Sequence, residues 1–194
     1  MEKYKILYID CPWWFPPRNN TKTKFWWWVT DKYQVMKIDE IRDLPIWELA
    51  DDNCALFFWT STARTTDSDI VDKLDLMRHW WFRIVNIWFN WKKQYKNGKT
   101  QFWTGYYTKG WSEICWLWIK WKMKPISNYV SSIVERELMR HSKKPPEIRD
   151  KIVQLFGDEK RLEIFARERV DWWDSIWLDV SWKTIQEEMQ ELLN

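Results

Sequence analysis

The residue in this chain best suited to chemistry is an aspartate placed where a buried strand runs out. Tyr4 to Ile9 is a continuous apolar run of parallel-strand character, and it leads directly into Asp10-Cys11-Pro12-Trp13. A carboxylate at such a strand end can accept N–H bonds, and the carbonyl beside it can accept another. An indole just beyond can stack on a flat ring. Pro12 restrains Cys11 towards extended backbone, which orients the Cys11 carbonyl. Taken alone, the tetrapeptide reads more readily as an ordinary strand-ending turn, with Asp10 as its cap. Three later segments add polar groups: His141-Ser142-Lys143-Lys144-Pro145, the run Arg161 to Arg167, and Trp173-Asp174. Outside any wider pattern, Glu163 and Arg167 read as a surface ion pair and Phe165 as plain core.

The elements that must position these groups alternate between strand and helix. A short helix is expected near Ile38 to Leu44, and Cys54 to Thr60 is a second buried strand. Ile70, Leu74 and Met77 recur at helical spacing, so a helix ends near Trp80. Ile84 to Trp91 is a third strand, Asn97-Gly98 marks a turn, and Ser112 to Ile119 forms a further strand. Pro145 and Pro146 open a helix that Gly157 closes after Phe156. Arg161 to Ala166 is the last clear strand, and Ile185, Met189 and Leu192 mark an amphipathic helix within 181–194 that packs on the body or on a partner. This order predicts an α/β fold of one domain over residues 1–194, with active residues outside the carboxyl ends of parallel strands.

Composition sets bounds and raises one anomaly. Hydrophobic content of 45% and charged content of 30% are ordinary for a soluble protein, and the net charge of +3 does not by itself demand a nucleic-acid partner. Basic residues nevertheless cluster: Arg18, Lys22 and Lys24 in one early loop, and Lys109 beside Tyr107 in another. Such loops can hold phosphates, or be solvated turns. Cys11, Cys54 and Cys115 are widely spaced and only two His are present, so no metal site is expected and a reducing cytoplasmic setting fits. No membrane span or signal peptide is expected. The anomaly is 20 Trp against 4 Gly in 194 residues, where ordinary usage of about 7% would give roughly 14 Gly. Several Trp stand where backbone chemistry calls for Gly, and a bulky residue at positive φ is an outlier. Our hypothesis is that UGA codons meaning Gly are read here as Trp, at positions 26, 27, 28, 47, 81, 88, 103, 111, 118, 121, 172, 177 and 182.

Together the four segments resemble the methyltransferase-A-70-like family of adenine N(6)-methyltransferases, above all its short prokaryotic and viral members, over residues 4–180. The resemblance implies a Rossmann-like methyltransferase fold of permuted motif order, with a mostly parallel central sheet flanked by helices. It implies S-adenosylmethionine as methyl donor and the exocyclic N(6) amine of adenine in DNA as acceptor. Asp10, Cys11, Pro12 and Trp13 match the catalytic segment, with Asp10 and the Cys11 carbonyl accepting from the amine and Trp13 stacking on the base, a contact worth about 1–3 kcal/mol in single-strand binders. The family usually carries Pro where this chain has Cys11, which leaves the carbonyl in place. Lys144, Glu163, Phe165 and Arg167 match cofactor-binding positions. Asp179 lies near another, in a segment that departs from the family pattern. Arg18, Lys22, Lys24, Tyr107 and Lys109 would then flank the entrance for the nucleic acid, from which a duplex adenine must be flipped. The location expected is the cytoplasm, of a host cell if the source is viral. RNA as substrate, a silent nucleic-acid-binding scaffold, a homo-oligomer or paralogous partner, and a Trp-rich binding module are the competing readings.

Overall fold

A computed structural model describes residues 2–13, 35–61, 67–104, 109–110, 112–139, 143–176 and 183–194. Its centre is β1 (Tyr4–Ile9), buried almost throughout, as a strand without polar alternation requires. β1 pairs in parallel with β2 (Ala50–Ser61) on one side and β8 (Arg161–Ile164) on the other. β9 (Asp174–Ile176) continues the parallel run beyond β8. On the far side of β2, β6 (Ser112–Lys120) runs antiparallel to both β2 and β3 (Arg83–Gln94), and β7 (Ile133–Glu137) pairs in parallel with β3. The seven strands lie in the order β7-β3-β6-β2-β1-β8-β9, and β4 (Trp103–Thr104) with β5 (Lys109–Gly110) makes a separate two-stranded hairpin.

Helices cover both faces, which makes this a mostly parallel α/β sheet. The described helices are α1 (Ile38–Arg42), α2 (Ile46–Leu49), α3 (Asp67–His79), α4 (Glu147–Phe156) and α5 (Ile185–Leu193). Alternation along each strand divides the core in two. Leu7, Ile9, Leu56 and Phe58 pack with Leu76 and Met77 of α3 and Ile185 and Met189 of α5. Ile6, Tyr8, Phe57 and Trp59 pack on the other face with Ile148, Ile152 and Leu155 of α4. The terminal helix therefore docks on its own body, and its start is secured by a capping box between Thr184 and Glu187.

The two-residue strands β4 and β5 escape the sequence reading, and so do two strands of the main sheet. β7 is an edge strand of mostly exposed residues, and β9 has only three residues, so neither carries a strong apolar signature. Arg161 to Ala166 is not one strand to its end, because Phe165 turns into the left-handed region at φ 66°. The parallel sheet then resumes at β9.

The Trp anomaly acquires a structural basis at two of the suspected positions. At the end of α3, the Phe82 N–H donates to the Met77 carbonyl and the Trp81 N–H to that of Arg78. That pairing is a Schellman cap, whose left-handed position is ordinarily glycine. Trp81 holds that position at φ 67° with its side chain facing solvent, and Trp121, in the turn after β6, has φ 55°. Trp47 and Trp172 are also exposed. Trp118, by contrast, is a buried core residue of β6, and its backbone gives no reason to prefer glycine.

Left-handed backbone costs a side-chain-bearing residue about 1–2 kcal/mol, while glycine loses part of that advantage to the entropy of its unfolded chain. Trp81→Gly and Trp121→Gly are each expected to stabilise by about 0.5–1 kcal/mol. The double variant should melt about 2–8 °C higher, since 1 kcal/mol moves Tm by about 2–4 °C at this size. Calorimetric melting of the parent and double variant measures this, and an unchanged or lower Tm contradicts a glycine requirement.

Candidate active site

Because β1, β2, β3, β8 and β9 run in one direction, their carboxyl ends share one edge of the sheet. Asp10 emerges there from β1. It continues the Ile6–Tyr8 side of the strand, so its carboxylate lies on the face covered by α4. Lys144, in the approach to α4, donates to Asp10 Oδ2 at 2.5 Å and also contacts Glu113 Oε2 at 3.2 Å. Its ammonium lies 5.5 Å from the centre of the Trp59 ring, a further attraction for a cation. The Asp10 side chain retains 21% exposure, and that of Lys144 retains 10%.

Charge around Asp10 is tuned by opposing effects. Burial pushes its carboxyl above the usual carboxylate range, Lys144 and Arg167 pull it down, and Glu113 adds to the rise. For Lys144, burial works against the charge, but Asp10 and Glu113 outweigh it and hold the ammonium well above its ordinary value. Lys144 is therefore charged near neutrality, and Asp10 is a more basic carboxylate than an exposed one.

Glu163 sits on the same sheet face at the end of β8, where Arg149 of α4 grips it through two bonds of 2.7 Å and 3.0 Å. Burial raises the Glu163 carboxyl, and Arg149 counteracts this. A second carboxylate, Glu168, takes Arg149 at 3.1 Å and Lys143 at 2.5 Å. Arg149 thus ties α4 to β8 and to the turn after it. The Phe165 ring is buried in the core, so what it contributes at the site's edge is a left-handed turn that sends the chain towards Arg167.

The remaining catalytic-segment residues are ordered by the backbone. The Cys11 carbonyl accepts the Trp13 N–H at 3.0 Å, and the Pro12 carbonyl accepts the Met36 N–H at 2.8 Å. A carbonyl oxygen has two lone pairs, so Cys11 retains acceptor capacity. Trp13 turns to the opposite sheet face, edge-on to Phe58 with ring centres 5.6 Å apart, and the Lys73 ammonium lies 5.6 Å from its ring centre.

The structure therefore gathers Asp10, Lys144, Glu163 and Arg167 around one strand edge, with Trp13 on its other side. Lys109 lies on β5, its ammonium 4.3 Å from the ring centre of Phe102. Arg18, Lys22, Lys24, Tyr107 and Asp179 fall outside the described residues. Sequence reasoning overlooked Glu113 and Arg149, and reads Lys93 only as one of several basic residues around a turn, whereas it lies within β3 and pairs with Glu113. Arg149 had a usable signal: it interrupts the apolar face formed by Ile148, Ile152 and Leu155, where a charge must find a partner. Glu113 shares a face with Cys115, Leu117 and Ile119 at two-residue spacing, which is the same kind of clue.

A second cleft, at the opposite edge of the sheet, is lined by Lys3, Trp47, Asp52, Asn53, Trp81, Lys120 and Trp121. Three of its walls are Trp at suspected glycine positions, and among the described residues its charged lining is Lys3, Asp52 and Lys120. Among the described residues no group of three or more His, Cys, Asp or Glu is arranged to hold a metal ion, and no helix is long and apolar enough to cross a membrane.

Asp10, Lys144 and Glu163 thus lie where open α/β sheets bind their ligands, outside the carboxyl ends of the parallel strands. The MT-A70 family model matches residues 4–178, and the chain belongs to that family. It is also 25% identical to the Type II methyltransferase M.MunI of Mycoplasma sp, over 92% of this chain and 78% of that protein. The protein is a methyltransferase.

Proposed function

We propose that this protein transfers the methyl group of S-adenosylmethionine to the exocyclic N(6) amine of adenine in DNA. The observation that carries the reading is the half-buried, comparatively basic Asp10 at the end of β1, held by Lys144 beside the strand that bears Glu163 and is followed by Arg167. The adenine amine is a weak nucleophile because its lone pair is delocalised into the ring. Asp10 and the Cys11 carbonyl, each accepting one of its N–H bonds, would draw that lone pair out of the ring and aim it. An amine that gains a methyl group becomes acidic, and Asp10 would be the carboxylate to take the released proton.

The donor set suits S-adenosylmethionine, which when bound supplies a methyl group on a positively charged sulfur. Glu163, fixed by Arg149, has the chemistry to accept bonds from ribose hydroxyls, and Arg167 with Lys144 has the chemistry to bind a carboxylate. Lys144 would thus contact both the donor site and the amine acceptor, fixing their relative position. The choice of DNA over RNA rests on the resemblance to short prokaryotic and viral members.

The test supplies labelled S-adenosylmethionine with single-stranded DNA, duplex DNA and RNA, and reads methyladenine by mass spectrometry. Product in DNA is expected. Product in RNA alone overturns the substrate, and methylcytosine overturns the base. Calorimetric titration with S-adenosylmethionine should show Arg167→Ala and Lys144→Ala each binding about 10-fold or more weakly, the loss typical of a charge-assisted contact. Unchanged affinity in both refutes the cofactor assignment.

A further inference from the structure

Asp10 shares its lysine with a second carboxylate. Lys144 Nζ contacts both Asp10 Oδ2 and Glu113 Oε2, and Glu113 Oε1 in turn lies 2.5 Å from Lys93 Nζ. Lys93 lies near the end of β3, Glu113 opens β6, Lys144 precedes α4 and Asp10 follows β1, so four separate parts of the fold converge. The result is a row of alternating charge, Lys93, Glu113, Lys144 and Asp10, with side-chain exposures of 8%, 19%, 10% and 21%. Charges so far withdrawn from water act on one another strongly.

A lysine paired with Asp10 alone would concentrate its attraction on that carboxylate and make it a poorer acceptor for anything else. Glu113 competes for the same ammonium, and Lys93 fixes Glu113 in the place where it can compete. We propose that Glu113, clamped by Lys93, is a positioning residue for methyl transfer: it shares Lys144 with Asp10 and so keeps Asp10 a strong acceptor for the target amine. The inference rests on the assignment of Asp10 as amine acceptor.

The protonation tendencies along the row agree with this division. Burial pushes Glu113 up, but Lys144 and Lys93 hold it below the usual carboxylate range, so it is the firmly ionised member. Asp10 stays above that range. The groups that act electrostatically on Asp10 are Lys144 from the approach to α4, Glu113 from β6, Glu163 from β8 and Arg167 from the turn after it. Tyr8, Cys11 and Cys115 lie close as well, but burial drives each far above its ordinary value, so they are neutral in the working range.

Two variants shift the row in opposite senses. Glu113→Gln returns Lys144 to Asp10, and the midpoint for protonating Asp10 should move to lower pH. Lys93→Met releases Glu113 towards Lys144, and the midpoint should move to higher pH. Carbon-13 NMR of the full chain, labelled at its aspartate carboxyls, reads the midpoint without any turnover, with Asp10→Asn identifying the signal. In parallel, kcat of Glu113→Gln for an adenine-containing oligonucleotide at saturating S-adenosylmethionine should fall on the order of 10-fold as its acidic limb follows Asp10 down. Equal midpoints in parent and both variants overturn the inference, as does an unchanged kcat in Glu113→Gln despite a shifted midpoint. If Glu113→Gln does not fold, an Asp10 midpoint in Lys93→Met that stays put or falls overturns it instead. Shifted midpoints in an enzyme whose parent form methylates no adenine substrate overturn the role assigned to Asp10, and the inference with it. A contact that served only to join β3 to β6 would move stability and leave the Asp10 midpoint where it was.

Discussion

Asp10→Ala should reduce methyl transfer by about 10²–10⁴-fold, the range for losing a group that handles the proton of a reacting nucleophile. The fold should barely respond. Removing this carboxylate eliminates a buried charge that burial already disfavours, and Lys144 keeps Glu113 as a partner. The expected change is within about 1 kcal/mol, or about 2–4 °C in Tm. Steady-state rates at saturating S-adenosylmethionine, beside melting curves of both proteins, make the comparison. Retained activity in the variant removes Asp10 from the mechanism. Loss of activity accompanied by a collapse in Tm assigns it a structural role.

The largest stability effect should come from Arg149→Met. Glu163 receives two bonds from this guanidinium, Glu168 receives a third, and Glu163 is 7% exposed. Deleting the arginine leaves a buried carboxylate without its counter-charge, which costs about 3–5 kcal/mol. Arg149→Lys should recover little, because one ammonium cannot reproduce the two-pronged grip. Arg149→Met combined with Glu163→Gln should regain much of the loss, since the uncompensated charge is then gone. Urea unfolding monitored by circular dichroism measures all three. A cost below about 1 kcal/mol for Arg149→Met would show the pair to be as weak as an exposed one.

Much of this protein is determined by local sequence. The apolar run from Tyr4 to Ile9 commits to a buried strand because no alternation offers it a solvent face, and Asp10 must then emerge at the strand's end. Gly157, at φ 86°, closes α4, and Gly98, at φ 76°, makes the turn after β3, as their types foretell. The suspicion that Trp81 stands in a glycine position also comes from sequence, through a helix pattern that stops there. These features depend on neighbours in the chain, and such information is written locally. The permuted placement of Lys144, Glu163 and Arg167 was legible only through resemblance.

What the tertiary structure decided is which distant charges meet. Asp10 and Lys144 are separated by 134 positions, and their contact exists because β1 ends beside the approach to α4. Glu113 and Lys93 become relevant only because β6 runs antiparallel between β2 and β3, which brings the start of β6 to the carboxyl edge of its neighbours. Arg149 finds Glu163 because α4 lies across the face that β8 presents. Short edge strands such as β7 and β9 are likewise chosen by the sheet that recruits them, since a few half-exposed residues carry too little pattern to specify pairing. Burial and charge pairing then set the chemistry: on an exposed loop both carboxylates would be ordinary acids, whereas here Lys144 and Lys93 hold Glu113 below the usual carboxylate range and burial with Glu113 keeps Asp10 above it.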